Sequence, residues 1–471
     1  MKNFLKNFIL YIVVFITICN LCTANELTDD YFDIAQNYFK EGNKSKAIEY
    51  IDRILEIEKD YIPAIGLKIK LTPPVTSSPL PDPDKPLIFD VPYVPTSNPQ
   101  SDIYYKQGLE HYKNKNYEAA ENKLKFALQA NNCNYRAYNT LGLVCWAQNK
   151  HDEARKAFEK ANELNKTFTI PLNNLAQMYR QLGSSEKSYA VLLTAQNLNP
   201  SDFCSYLLLG DYYRDIHDYD NAIKYYREVV KINPKYNLVY LKIARAKTGN
   251  LDYTGSNETL NYYHGINPND DFLYYLMTKN YIYLNQLDKA KESIYKAILI
   301  NNCVEYRIEL GKINYQTEDV QDALDDFTST LNFNVSPEIY NYIGMCYYNL
   351  HDFNKAIVNI NKAASMPNSR ILYSYNLAKI YYTLKDNVNF TKYMDTVKNF
   401  QPATCQDFVD MSGILLEAAS KNAAICMINK GISKYPKVRE LYLKKMKIYD
   451  LTNDTQGVEQ TKSEIESIFG K

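Results

Sequence analysis

Three histidines each precede an aspartate, as His151-Asp152, His217-Asp218 and His351-Asp352. Such pairs are able to ligate a metal or relay a proton. Their placement argues for something plainer. His217 and His351 fall at the same point of a repeating pattern, four repeats apart, which separates them by roughly 40 Å at about 10 Å per stacked helix pair. They are therefore expected to be turn residues followed by helix-capping aspartates. Seven cysteines follow residue 24, with no CxxC spacing, so they are expected as small buried apolar groups rather than disulfide partners or zinc ligands. No phosphate-binding loop, dinucleotide fingerprint, HExxH or nucleophile elbow occurs, and no enzyme activity, metal or cofactor is expected. One constellation remains. Arg245, Lys279, Lys312, Lys379 and Lys447 recur at one position of the pattern, with Tyr275 and Tyr375 one helical turn before it and Tyr315, Tyr348 and Tyr382 one turn after. Cations at this spacing act together on an extended anion, and flanking rings add flat apolar contact and cation–π attraction. The alternative is a solvated face.

The elements that must position these groups are helices in pairs. Small residues return at a step of 34 residues, sometimes 33. One series begins Gly108, Gly142, Ala176, Gly210, Ala244; a second begins Ala120, Ala154, Ser188, Ala222; a third begins Ala127, Ala161, Ala195. A fixed period in this range indicates a repeat architecture. Helix axes approach to about 8–10 Å where small side chains meet. One small residue on a first helix and two on a second let an antiparallel pair nest. Tyrosines recur three residues after the first small position, at Tyr179, Tyr213, Tyr281, Tyr347, Tyr381 and Tyr449, and fill the gaps between pairs. Prolines at 200, 234, 268, 402 and 436 close several repeats.

The pattern resembles the tetratricopeptide repeat. The family's small positions match Gly108, Ala120 and Ala127, and its aromatic early in the first helix matches Tyr104, Tyr138, Tyr206, Tyr240 and Tyr274. The resemblance implies an all-α fold, a right-handed superhelical solenoid of stacked antiparallel helix pairs. Eleven units are expected over 101–471, bounded at 101–134, 135–168, 169–202, 203–236, 237–270, 271–303, 304–336, 337–370, 371–404, 405–438 and 439–471. An outlying unit at 28–61 is followed by one extra helix, Ile62 to Leu71, giving an N-terminal piece over 28–71. Each unit is expected to touch only its neighbours. The resemblance also implies that first helices line a concave groove, which would contain the basic-aromatic strip. The family's carboxylate clamp does not carry over, because Tyr105, Leu109, Asn139, Leu143 and Asn173 stand at its positions. Its asparagine ladder is met only at Asn174 and Asn376.

Residues 1–24 read as an export signal. Lys2 and Lys6 precede the apolar run Phe8–Ile18, and Cys22-Thr23-Ala24 is a small-residue cleavage site. The expectation is an exported chain, periplasmic, secreted or associated with the cell envelope, touching membrane only if the signal is retained. The 54 basic and 54 acidic side chains balance, so nucleic acid is not an expected partner. Residues 72–100 hold nine of the 18 prolines and read as an extended linker without helix. Its stretch Pro86–Pro95 is apolar enough to dock as a strand. The unit 237–270 carries Gly249, Gly255 and Gly265, so its second helix is expected to be short or irregular. The last helix is polar and is expected to cap the array. The function implied is a scaffold for a protein or peptide partner, such as an acidic extended segment. The alternatives are a mainly structural solenoid and a binder of an acidic glycan or other polyanion.

Overall fold

The computed structural model describes residues 27–74, 96, 98–418 and 420–469. The expected signal at 1–24 and the apolar stretch 86–95 lie outside the described residues. The described residues form 25 helices and no strand. The fold is all-α, a tetratricopeptide-like solenoid of helix pairs that pack in chain order.

Among the described residues, helix pairs close through a repeated turn. A single residue adopts positive φ, and the next residue caps the following helix. At these turns the positive-φ residues are Gly42, Lys115, Asn149, Gly183, His217, Leu251, Asn285, Glu318, His351, Lys385 and Asn453, and Asn368 adopts the same region between two pairs. His217 and His351, expected at such turns from sequence, are among them. From Lys115 to Lys385 the spacing of the turn residues is again 34 or 33. After His217 the amide of Asp218 donates to the Tyr213 carbonyl at 2.8 Å, a 6→1 bond that closes the preceding helix. The Asp218 carboxylate then accepts the Asn221 amide at 3.2 Å. Asp352 does the same for Lys355 at 3.1 Å. His151-Asp152 is different: the turn residue there is Asn149, and both members of the pair lie inside the helix His151–Leu164.

The small positions nest as the spacing requires. Ala120, Ala127, Ala154, Ala161, Ala222, Ala290 and Ala297 are fully buried. Glycines at the first position admit large partners. A Cβ on Gly210 would lie 2.4 Å from the Tyr226 ring, and one on Gly142 would lie 2.6 Å from Phe158. Gly210→Ala is therefore expected to cost about 1–3 kcal/mol through overpacking. Gly265→Ala, with nothing within 4 Å, is expected to gain up to about 1 kcal/mol of helix propensity. Thermal denaturation of the two variants checks the opposite signs.

The helix Tyr253–Ile266 runs its full 14 residues, which corrects the expectation of a short or irregular one. Its three glycines sit at helix ends. Gly249 ends the preceding helix where Tyr219 leaves no room, a Cβ there meeting that ring at 2.3 Å. The Gly255 amide binds the Asp252 carboxylate at 2.9 Å in the first turn, and Gly265 lies in the last. Little interior propensity is lost.

Packing divides the chain into two compact units. One gathers the described residues up to Pro74 with Asn267–Thr461, and the other gathers Thr96–Ile266 with Lys462–Phe469. In the second unit Phe469 is buried and its ring meets His217 edge-on at 5.6 Å, so the last helix is not wholly a solvated cap. The helix starting at Pro99 enters the stretch 72–100 that was expected to hold none. One helix ends at Leu71 and the next starts at Pro99, where proline is tolerated in the first turn.

Candidate binding surface

Six elements carry the candidate surface in the first unit. They are α1 (Asp271–Tyr283), α2 (Leu287–Ile300), α3 (Val304–Gln316), α4 (Val320–Thr330), α5 (Pro337–Asn349) and α6 (Ile371–Thr383). The first helices α1, α3 and α6 carry a lysine right after the small position, whereas on α5 that residue is the buried Met345. Lys279 on α1 meets Glu309 of α3 at 2.8 Å and lies 5.4 Å from the Tyr275 ring centroid. Burial pulls its amine down, but Glu309 outweighs this and holds it above the ordinary lysine value. Lys312 on α3 meets Glu338 of α5 at 3.0 Å and lies 5.9 Å from the Tyr342 ring. Lys379 on α6 pairs with Glu417 and lies 5.9 Å from Tyr375. The strip is thus an alternating ladder, with each of these lysines answered by a carboxylate from a later helix. Lys447 is exposed further along. Arg245 belongs to the other unit.

The tyrosines divide similarly. Burial raises Tyr275, Tyr315 and Tyr375 above the ordinary phenol value. Tyr315 packs edge-on to Tyr342 at 5.7 Å. Tyr348 shares a hydroxyl bond of 3.1 Å with Thr383. Tyr382 stands 71% exposed, its ring 5.5 Å from Phe390, and is the freest of the five for a ligand. The two asparagines of the incomplete ladder are also engaged. Asn174 donates to Asn139 at 3.2 Å and Asn376 to Asn341 at 2.8 Å.

A second surface went unseen in the sequence. The helix α7 (Ile62–Leu71) belongs to the expected N-terminal piece, yet it packs across α2, α3 and α4, more than 200 residues away. One of its faces, with Ala64, Leu67 and Leu71, joins the local cluster of Ala47, Ile51 and Ile54. The other, with Ile65 and Ile69, joins Ile294, Tyr295, Ile298, Tyr306 and Leu310. Gly66 lets the Tyr295 ring approach, since a Cβ there would lie 3.2 Å from its hydroxyl. A helix leaves its last carbonyls without internal partners. Here Arg307 supplies them. Its Nη2 donates to the Ile69 carbonyl at 2.6 Å and to that of Thr72, and its Nε to Asn302 Oδ1 at 2.9 Å. Asn302 Nδ2 in turn donates to the Pro73 carbonyl at 3.0 Å. A guanidinium at a helix C-terminus also meets the negative end of the dipole.

Arg307 is 2% exposed, and its nearest carboxylate is Asp326, 3.5 Å from Nη1. Burial pushes Asp326 up to about 7, against the opposing pull of Arg307 and Asn314. Lys70 adds an ion pair to Asp322 at 2.8 Å. The expectation that each unit touches only its neighbours therefore fails here, as it does where Phe469 meets His217. The sequence did hold a signal. Arg307 stands where the early aromatic of other units stands, and Asn314 stands where their recurring tyrosine stands. Two polar residues replace two packing rings just where a foreign helix enters.

The cysteines follow the apolar expectation in part. Cys145, Cys204, Cys303 and Cys346 are buried, Cys405 is half-buried, and Cys133 and Cys426 are exposed; all seven are free. Burial raises the Cys346 thiol to about 12, which leaves it a poor nucleophile.

Models of the tetratricopeptide repeat match residues 31–61, 105–165, 171–202 and 205–236. The chain carries tetratricopeptide repeats. Curated relatives match at low identity. The chain is 26% identical over 261 residues to a TPR repeat-containing protein of Methanocaldococcus jannaschii, covering 54% of this chain and 43% of that one. It is 24% identical over 131 residues to anaphase-promoting complex subunit 3 of Schizosaccharomyces pombe, covering 28% and 20%. It is 22% identical over 261 residues to a BBSome complex member of Bos taurus, covering 54% and 42%. The chain thus spans less than half the length of each. A solved tetratricopeptide repeat protein from Parabacteroides merdae is 22% identical, with 52% of this chain and 98% of that one covered and a TM-score of 0.42. MamA of Desulfovibrio magneticus is also 22% identical, with 35% and 93% covered and a TM-score of 0.32. Tetratricopeptide repeat proteins generally mediate protein–protein interaction or assembly. Beyond residue 236 the assignment of repeats rests on the helix pairs, their positive-φ turns and their buried small residues.

Proposed function

We propose that this chain is an exported scaffold that holds a partner protein along its first-helix face, in the cell envelope or outside the cell. The observation that supports binding there is the cross-repeat ladder of Lys279–Glu309, Lys312–Glu338 and Lys379–Glu417. Ion pairs between successive helices hold the polar side chains in place, so a partner that uses them loses less side-chain entropy on binding. The test places a photo-crosslinking side chain at Lys312 on the first-helix face and at Lys289 on a second helix, in the native host. Crosslinks to one defined protein from 312 and none from 289 support the reading. Equal or absent crosslinking at both overturns it in favour of a mainly structural array, which the same internal pairing of the lysines also suits. An unspecific polyanion site is less favoured, because three of the five cations already have carboxylate partners.

Export rests on Lys2, Lys6, the apolar run Phe8–Ile18 and Cys22-Thr23-Ala24. N-terminal sequencing of the protein from its host is expected to begin at Asn25. A cytosolic chain beginning at Met1 would sink this part of the proposal and leave the scaffold reading standing.

A further inference from the structure

Two of the His-Asp pairs are continued by an aromatic residue, as His217-Asp218-Tyr219 and His351-Asp352-Phe353. Both histidines hold positive φ, 65° and 61°. Both imidazoles then meet the ring two residues on at nearly one geometry. The centroids are 5.9 Å apart and tilted 55° at 217–219, and 6.0 Å apart and tilted 68° at 351–353. At the first motif the imidazole is fully engaged. Phe469 is 6% exposed, and its ring stands at 90° to the imidazole, 5.6 Å away. The Tyr219 hydroxyl lies 2.9 Å from Nδ1 of His217. At the second motif neither partner is present. Phe353 has no hydroxyl, and among the described residues the His351 ring has no hydrogen bond and no second ring against it.

Beside His351 lies a cavity of about 430 Å³. Its lining includes Glu318 and Val320 at the turn into α4, Tyr348 of α5, Phe353 at the start of α8 (Phe353–Ser365), and Thr383 at the end of α6. Three rings thus line it, with Tyr348 meeting Phe353 at 5.9 Å. No lysine or arginine is among the lining residues. On the adjoining turns Lys291 pairs with Asp319 at 2.6 Å and Lys355 with Asp352 at 2.8 Å. Lys385, the turn residue after α6, is exposed and outside the lining. Glu318 is exposed, and its carboxylate has no ion pair or hydrogen bond among the described residues. The other described turns carry Gly, Asn, His, Lys or Leu at its position. Three rings and an unanswered carboxylate favour an aromatic group with a cation beside it.

We propose that this cavity seats an aromatic side chain of a partner protein, with a basic residue next to it in sequence reaching Glu318. The engaged motif shows the fit, a ring edge-on to the imidazole as Phe469 is to His217. Rings so arranged set the positive edge of one against the negative face of the other. The ring nitrogens of His351 add a hydrogen bond to the backbone of the incoming segment. The site goes beyond the scaffold reading, because it uses the turns between helices and none of the paired lysines.

The experiment is a ligand-observed NMR titration of the full chain with tetrapeptides, acetylated and amidated so that no terminal charge remains. Gly-Phe-Lys-Gly is expected to bind. Gly-Leu-Lys-Gly is expected to bind about fivefold more weakly, the worth of one ring pair. Gly-Phe-Glu-Gly is expected to bind about threefold more weakly, the worth of one exposed ion pair. His351→Asn installs the residue that takes the same turn at Asn149 and Asn285, so the melting temperature should hold while binding weakens about fivefold. Glu318→Asn keeps the turn likewise and is expected to erase the preference for Lys over Glu. The proposal is overturned if Gly-Phe-Lys-Gly fails to bind, or if the Leu or Glu peptide binds as well as it does. It is overturned too if His351→Asn, with its melting temperature unchanged, binds as the unchanged chain does. Choline binding without peptide binding would overturn it in favour of a small organic cation. Crosslinks from 312 bear on the scaffold reading alone.

Discussion

Replacing Arg307 with alanine is expected to release α7 from α2, α3 and α4. The substitution strands the carbonyls of Ile69 and Thr72 and leaves Asp326 buried without its guanidinium. Breaking a buried pair by removing one partner costs about 3–5 kcal/mol. The apolar contribution that opposes release is of similar size, since burying Ile65 and Ile69 is worth about 3–6 kcal/mol in all. Hydrogen exchange should therefore show residues 44–74 losing protection while residues 98–266 keep theirs. Lys70→Ala removes only a half-exposed pair with Asp322, and a loss below about 1 kcal/mol is expected. Acidity provides a second readout. The Asp326 carboxyl lies near 7 in the folded chain, above its unfolded value. Its contribution to stability is fully present below the unfolded value and is lost as pH rises through about 7. Asp326→Asn should flatten that slope. Unchanged protection in Arg307→Ala would mean that apolar contact alone seats the helix.

The second large effect is expected in the other unit. Asp211 is 1% exposed and accepts from Lys242 Nζ at 2.8 and 3.1 Å and from the Tyr226 hydroxyl at 2.7 Å. Arg214 and Arg180 approach the same carboxylate at 3.6 and 4.0 Å. Lys242 is itself 2% exposed. Asp211→Ala gathers these cations around an empty space, and a loss of about 3–5 kcal/mol is expected in urea denaturation. Adding Lys242→Met removes the stranded ammonium and should restore most of it. If the double variant is as unstable as the single one, the loss came from the Tyr226 hydroxyl rather than from charge.

The repeat register was legible because it is local. A small residue every 34 positions and a turn residue beside each pair are decided within one unit, so Ala120, Gly210 and His217 could be placed from the sequence. The helix Ile62–Leu71 was legible for the same reason. Its destination was not. Nothing near residue 66 says that Tyr295 will lie against it, and the only sign was negative, the absence of rings at 307 and 314. The glycines of 249–265 misled because propensity was summed without regard to helix ends. The basic strip was seen, but its neutralisation was missed. Glu309, Glu338 and Glu417 stand at three different positions of their repeats, so no single column of the pattern displays them. Only the packed helices bring each to its lysine.

The seating of α7 sets a timetable for synthesis. Ile69 precedes Arg307 by 238 residues. At about 5–20 residues per second, a helix emerging from the ribosome waits about 12–48 s before its receptor surface exists. Ten residues do not hold a helix alone in water. The face with Ala64, Leu67 and Leu71 finds shelter at once in the local cluster. The face with Ile65 and Ile69 has no local shelter and stays wet, or in the keeping of a chaperone, until residues 287–330 have folded. Assembly of this unit thus includes the late return of one of the helices made earliest.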